Sequence, residues 1–258
     1  MDFIKIINKE QLKPGAISAM ICQLNYNDFK WEVRDGHYFI RDVHLVKELL
    51  NFYFSLAIRD SIDLIVFPEL GVPESLIEFI QGWTREHVKS VIAGSHYYAS
   101  EGKYYSRCPI ILNGEVHFTE KIYPAPIELS PVSSENLSAG REFFVFRNST
   151  IGDFAVFICS DFLNEKLVAS VLDMDLDFFC ICAFQKNSET YFARMNIYCD
   201  TSNNGLYILY NNFISKSNAD GRSSLFGLID PMYADKLKSV GYTDLNVNSG
   251  DGNPSYRL

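Results

Sequence analysis

The chain has 258 residues, of which 47% are hydrophobic and 14% aromatic, enough for a sizeable core and too many for a disordered segment. Its formal net charge of −9 argues against nucleic acid and anionic membrane partners, both of which select basic patches. No apolar run approaches the roughly 18 residues that span a bilayer, and the start Met1-Asp2-Phe3-Ile4-Lys5 has no secretory pattern.

Residues 1–15 are polar and read as an edge segment, and 16–25 (AISAMICQLN) as a buried strand. Val43, Val46, Leu49, Leu50, Phe54 and Ala57 recur at helical spacing over 41–61. The short apolar run 62–67 reads as a parallel strand. Pro73 opens a helix running to about 87, and 90–95 is again a strand. Runs 104–112 and 115–120 flank Asn113-Gly114, a strong hairpin signal. Pro124, Pro126 and Pro131 mark an irregular loop to about Gly140. Segments 143–146 and 153–158 form a second hairpin-like pair. A helix over 164–172, a strand over 176–183, a helix over 188–201 and a strand over 206–211 follow, with one more strand within 222–228.

This alternation predicts an α/β fold with antiparallel insertions. Two sheets packed face to face, with helices outside, accommodate it. No linker divides the chain, so 1–258 reads as one domain with a core of about 16–229. The tail from Asp230, rich in Asn, Asp, Gly and Ser, reads as a loosely packed arm.

Three reactive side chains stand where strands should stop, which is where layered α/β folds do their chemistry. Glu69 follows Leu64-Ile65-Val66-Phe67-Pro68, Lys121 follows Val116-His117-Phe118-Thr119-Glu120, and Cys159 follows Phe154-Ala155-Val156-Phe157-Ile158. A lone buried cysteine is usually a small hydrophobe. Cys159, however, sits between a strand and Ser160-Asp161, a turn into a helix. Such a turn exposes a nucleophile beside backbone N–H donors that could hold an oxyanion. Lys121 lies in an apolar context, Ile122-Tyr123-Pro124, where an ammonium must pair with an acid. A base, a cation and a thiol together point to covalent catalysis through cysteine. The six cysteines include no CxxC pair and the five histidines show no ligand spacing, so neither a zinc site nor any other metal is expected. The chain reads as reduced and cytoplasmic.

FPEL around Glu69, EKIYPAPIE around Lys121 and FICSDF around Cys159 resemble the three signatures of the nitrilase superfamily, the carbon–nitrogen hydrolases. The order Glu, Lys, Cys is the family's, and the resemblance spans about 16–229. It implies a four-layer αββα sandwich that pairs as a homodimer or a higher homo-oligomer. It assigns Cys159 as nucleophile, Glu69 as general base and Lys121 as stabiliser of the tetrahedral oxyanion, with no cofactor. A second glutamate that orients the lysine is Glu128 or Glu135, with Glu128 preferred. Substrate contacts fall to Tyr123, Ser160, Phe184 and Gln185, with Lys186 and Asn187 on the same loop. The implied substrate is a small-molecule amide or N-carbamoyl compound. The competing readings are a binding or effector module that keeps the fold without turnover, and a redox thiol at Cys159.

Overall fold

The computed structural model describes residues 1–258 apart from 12–15, 130–135, 202–204, 216–220, 228–254 and 258. The chain runs β1 (Ile4–Asn8), β2 (Ser18–Ile21), β3 (Trp31–Arg34), β4 (His37–Ile40), α1 (Val43–Arg59), β5 (Leu64–Val66), α2 (Ile77–His87), β6 (Ser90–Ile92), β7 (His96–Ser100), β8 (Lys103–Leu112) and β9 (Glu115–Glu120). It continues through β10 (Phe143–Ser149), β11 (Gly152–Ile158), α3 (Glu165–Leu172), β12 (Phe178–Ala183), α4 (Glu189–Thr201), β13 (Tyr207–Asn212), β14 (Ser224–Phe226) and β15 (Ser255–Arg257).

The strands form two large sheets. One has the order β1-β10-β11-β12-β13-β14, and the other β15-β2-β5-β6-β8-β7 with β9 also paired to β8. β2, β5 and β6 are mutually parallel, as are β11, β12 and β13. Their apolar runs are nearly continuous because both faces are covered. Alternate residues serve alternate faces, as the period of two demands. Leu64 and Val66 join Phe154, Val156 and Ile158 in one apolar cluster between the sheets. Ile65 instead packs with Val46, Leu50, Phe54 and Ile80 of α1 and α2. Ala155 and Phe157 pack with Leu167, Val171, Tyr191 and Met195 of α3 and α4.

Local chemistry sets the element ends. Asp42 caps α1 by accepting from the Leu45 N–H at 3.3 Å, and Asn164 caps α3 by accepting from the Leu167 N–H at 3.0 Å. The expected hairpin at Asn113-Gly114 forms between β8 and β9.

Three features differ from the expectation, the first being that residues 96–100, assigned no element above, form β7 against β8. Residues 31–40, assigned no element above, form the β3–β4 hairpin, with Trp31 opposite Ile40 and Arg34 opposite His37. Its turn is Asp35-Gly36, at φ +49° and +87°, the left-handed pair that a two-residue hairpin needs and that glycine adopts without steric cost. The loosely packed arm falls mostly outside the described residues, but its end is a strand. Ser255, Tyr256 and Arg257 pair antiparallel with Met20, Ala19 and Ser18 and extend the second sheet. Among the described residues, no helix is long and apolar enough to cross a membrane.

Candidate active site

Three strand ends converge. Glu69 lies just beyond β5, Lys121 follows β9 directly, and Cys159 follows β11 directly. The segment bearing Glu69 is held by close backbone approach. A Cβ on Gly94, which sits at φ +68°, would lie 2.0 Å from the Pro68 carbonyl oxygen. Only glycine lets the chain after β6 pass there. Leu70 (φ +59°) and Cys159 (φ +48°) are both left-handed. For non-glycine residues such backbone costs about 1–3 kcal/mol. At Cys159 it turns the strand sharply into the 3₁₀ segment Cys159–Leu163, an elbow of the kind that can hold out a reactive side chain.

Lys121 is 1% exposed, Cys159 3%, Glu69 4% and Glu128 8%, so four reactive groups are buried together. The Lys121 ammonium donates to Glu69 Oε1 at 3.0 Å and to Glu128 Oε1 at 2.6 Å. The other oxygen of Glu128 accepts from the Ala125 N–H at 2.5 Å. Of the two acids considered for orienting the lysine, Glu128 makes the contact, and Glu135 lies outside the described residues.

Burial raises Glu69 above the usual carboxylate range, and Lys121 offsets that only in part. Burial alone would lower Lys121, but the Glu69 and Glu128 carboxylates outweigh it and hold the ammonium well above its ordinary value. The Cys159 thiol is pushed up to about 12, first by burial and then by the negative Glu69, against the pull of Lys121. Cys159 therefore rests as a thiol rather than a thiolate, with Glu69 as a hydrogen-bonding neighbour.

Two neutral groups contact the sulfur. Gln185 Nε2 donates to Cys159 Sγ at 2.6 Å, and the Tyr191 hydroxyl lies 3.5 Å from it. Asn212 holds Gln185 from both ends: its Oδ1 accepts from the Gln185 N–H at 2.9 Å, and its Nδ2 donates to the Gln185 carbonyl at 3.0 Å. The neighbouring Asn211 donates to the carbonyls of Cys22 and Val66 at 3.1 and 2.7 Å. That side chain ties β13 to the ends of β2 and β5 across the sheet interface.

Asp161 does more than close its own turn. Fully buried, it accepts from the backbone N–H groups of Tyr123 at 2.7 Å and Ile122 at 3.3 Å. Ser160 Oγ donates to the Tyr123 carbonyl at 2.7 Å. These bonds fasten the segment after Lys121 to the segment after Cys159. Burial pushes the Asp161 carboxyl up to about 7, against the backbone N–H of Tyr123.

The remaining expected contacts divide. Gln185 reaches the sulfur, and Ser160 and Tyr123 meet through the bond just described. The Tyr123 ring packs edge-on against Phe3 at 6.2 Å, and the Phe184 ring stacks on Tyr26 at 5.3 Å. Tyr191 and Asn212 were not anticipated. The short pattern Ser188-Glu189-Thr190-Tyr191 at a helix start carries no reactive signal, and the pairing of Asn212 with Gln185 needs two strands side by side. Among the described residues, no group of three or more His, Cys, Asp or Glu could hold a metal ion.

No protein-family profile matches the sequence, and no curated protein does. Solved structures do resemble the fold. A Saccharomyces cerevisiae protein of branch 10 of the nitrilase superfamily matches with a TM-score of 0.63 at 13% identity, over 89% of this chain and 96% of its own. An amidase from Nesterenkonia sp. AN1, seen after Michael addition of acrylamide at its active-site cysteine, matches with a TM-score of 0.61 at 13% identity, over 82% of this chain and 85% of its own. A glutamine-dependent NAD+ synthetase from Acinetobacter baumannii matches with a TM-score of 0.59 at 14% identity, over 94% of this chain and 45% of its own. The chain has the fold of the nitrilase superfamily.

Proposed function

We propose that the chain is a single carbon–nitrogen hydrolase domain of the nitrilase superfamily, a four-layer αββα sandwich that cleaves an amide or N-carbamoyl bond in a small molecule through a thioester on Cys159. The observation that carries this reading is the buried Lys121 ammonium, bonded at once to Glu69 and Glu128 in the site that also holds the Cys159 thiol. Breaking a buried pair leaves an uncompensated charge, so such a cluster is costly unless a reaction uses it. The likeness to an amidase with an active-site cysteine supports the same class.

In this mechanism Glu69 takes the thiol proton as Cys159 Sγ attacks the carbonyl carbon. The oxyanion forms against Lys121 and the backbone N–H of Ser160 at the elbow. Glu69 then gives its proton to the leaving nitrogen, and ammonia or an amine departs as the thioester forms. Water enters, Glu69 removes its proton, and a second tetrahedral intermediate collapses to the acid and the free thiol. Glu128 positions Lys121 throughout, and Gln185 with Tyr191 orients the sulfur. Pairing as a homodimer belongs to the same proposal, and light scattering tests it.

A second reading, a binding module without turnover, is favoured by the thiol being pushed up to about 12. One experiment separates the two. Ammonia release is measured over a panel of amides, ω-amides and N-carbamoyl compounds beside a Cys159→Ala control. Release that vanishes in the control supports the hydrolase. Silence across the panel, with Cys159 also inert toward iodoacetamide, supports the binding module.

A further inference from the structure

A pocket of about 450 Å³ lies beside the thiol site, and none of Glu69, Lys121, Glu128 and Cys159 lines it. Its walls come from the β3–β4 hairpin, the segment after Glu69 and the start of β7. Tyr38, Phe39, Val72 and Tyr97 give it apolar surface, and Arg34, Glu74, Ser75 and His96 bring polar groups. That size and that mixture suit one small molecule with an oriented polar end.

His96 defines the polar end. It is 5% exposed. Arg107 Nε donates to His96 Nε2 at 3.2 Å. A guanidinium has no acceptor to offer, so Nε2 must be the unprotonated nitrogen. Burial, and then the charge of Arg107, lowers His96 to about 3, so the ring is neutral and its one proton sits on Nδ1. That nitrogen is buried without a hydrogen-bond partner. A buried donor left unpaired is destabilising, and a ligand bringing an acceptor oxygen would pair it. Glu74 also lines the pocket, its carboxylate already paired with Arg107 at 2.5 Å. Arg34 spends one donor on Glu32 at 2.8 Å and has others to offer. The set therefore presents one orphaned neutral donor and one cation with spare donors above an apolar floor.

We infer that this pocket is a second ligand site, distinct from the thiol site, that takes a small carboxylate with an apolar body. The acid's oxygens accept from His96 Nδ1 and from Arg34, and its body lies against Tyr38, Phe39 and Val72. The site adjoins the reaction centre along the chain, because Leu70 lines the pocket and directly follows Glu69. It does not depend on the proposed hydrolysis.

The test is calorimetric titration of the full chain carrying Cys159→Ser, which cannot turn over, with phenylacetate, hexanoate and the neutral phenylacetamide. Saturable binding of the acids is expected, with phenylacetamide weaker. Arg34→Ala, at an exposed position, and His96→Phe, which keeps an aromatic ring in place, should each weaken the acids by about tenfold, a typical figure for one hydrogen bond. Gln185→Ala, beside the sulfur, should leave binding unchanged. Absence of saturation below roughly 10 mM would overturn the site. Equal affinity for phenylacetamide would overturn the carboxylate assignment. Weakening by Gln185→Ala but not by Arg34→Ala would put the acid at the thiol and overturn the distinct site.

Discussion

The two sides of the Cys159 sulfur are built from opposite materials. On one side, two carboxyls and an ammonium are buried together, with Lys121 bonded to Glu69 at 3.0 Å and to Glu128 at 2.6 Å. On the other side every group is neutral: the Gln185 amide at 2.6 Å, the Tyr191 hydroxyl at 3.5 Å, and Asn212 bracing Gln185 from behind. The charged side can move a proton and hold an oxyanion, but its groups tolerate removal badly because burial magnifies any imbalance. The neutral side can only orient the sulfur, and neutral hydrogen bonds contribute about 0.5–1.5 kcal/mol each. Substitutions on the charged side should therefore be costly and change the chemistry. Those on the neutral side should be mild and graded.

Lys121→Met makes the largest break. It leaves two buried carboxyls facing each other without a cation, and the loss of stability should be about 3–5 kcal/mol, read from urea unfolding with ammonia release abolished. A variant as stable as the parent would mean that the cluster is not held by charge pairing. Glu69→Gln is gentler on the fold and keeps the shape of the site. With the proton acceptor gone, turnover should fall by about 10²–10⁴-fold while circular dichroism stays unchanged. Retained turnover would remove Glu69 from the base role.

Asp161 belongs to neither set and fastens the Lys121 segment to the Cys159 segment. Its carboxyl titrates near 7 in the folded chain, against about 3.9 when unfolded. Between those values the folded state binds the extra proton, so this group's stabilising contribution falls as pH rises from about 4 to 7. Asp161→Asn should remove that slope from the unfolding free energy. It also points an amide donor at one of two backbone N–H groups, at a cost of about 1–3 kcal/mol. An unchanged pH slope in the variant would show that other groups, Glu69 first among them, carry the dependence. Tyr191→Phe should have the smallest effect. It removes one long contact to sulfur, so kcat should drop no more than about tenfold, the equivalent of 1.4 kcal/mol. A drop as large as that of Glu69→Gln would make the phenol a proton-transfer group and erase the contrast between the sides.

Much of this was legible in the chain. The continuous apolar run Phe154–Ile158 foretold a strand, and the structure buries its alternate residues in separate clusters. The placement of Glu69, Lys121 and Cys159 at strand ends marked them as one candidate site, because layered α/β folds gather chemistry at strand ends. The β3–β4 hairpin was equally legible and was missed. Asp35-Gly36 stands between Trp31-Glu32-Val33-Arg34 and His37-Tyr38-Phe39-Ile40, the same grammar as Asn113-Gly114.

By itself the sequence determined the periodicities, the turns and the identity of Glu69, Lys121 and Cys159 as reactive groups, since each is written in neighbouring residues. Only the tertiary structure decided what stands on the neutral side of the sulfur, that Asp161 fastens the lysine segment to the cysteine segment, and that His96 keeps a proton on Nδ1 with nothing to receive it. Those facts depend on groups from separate strands coming within about 3 Å of each other, the reach of a hydrogen bond, and no local pattern encodes a distance across a sheet.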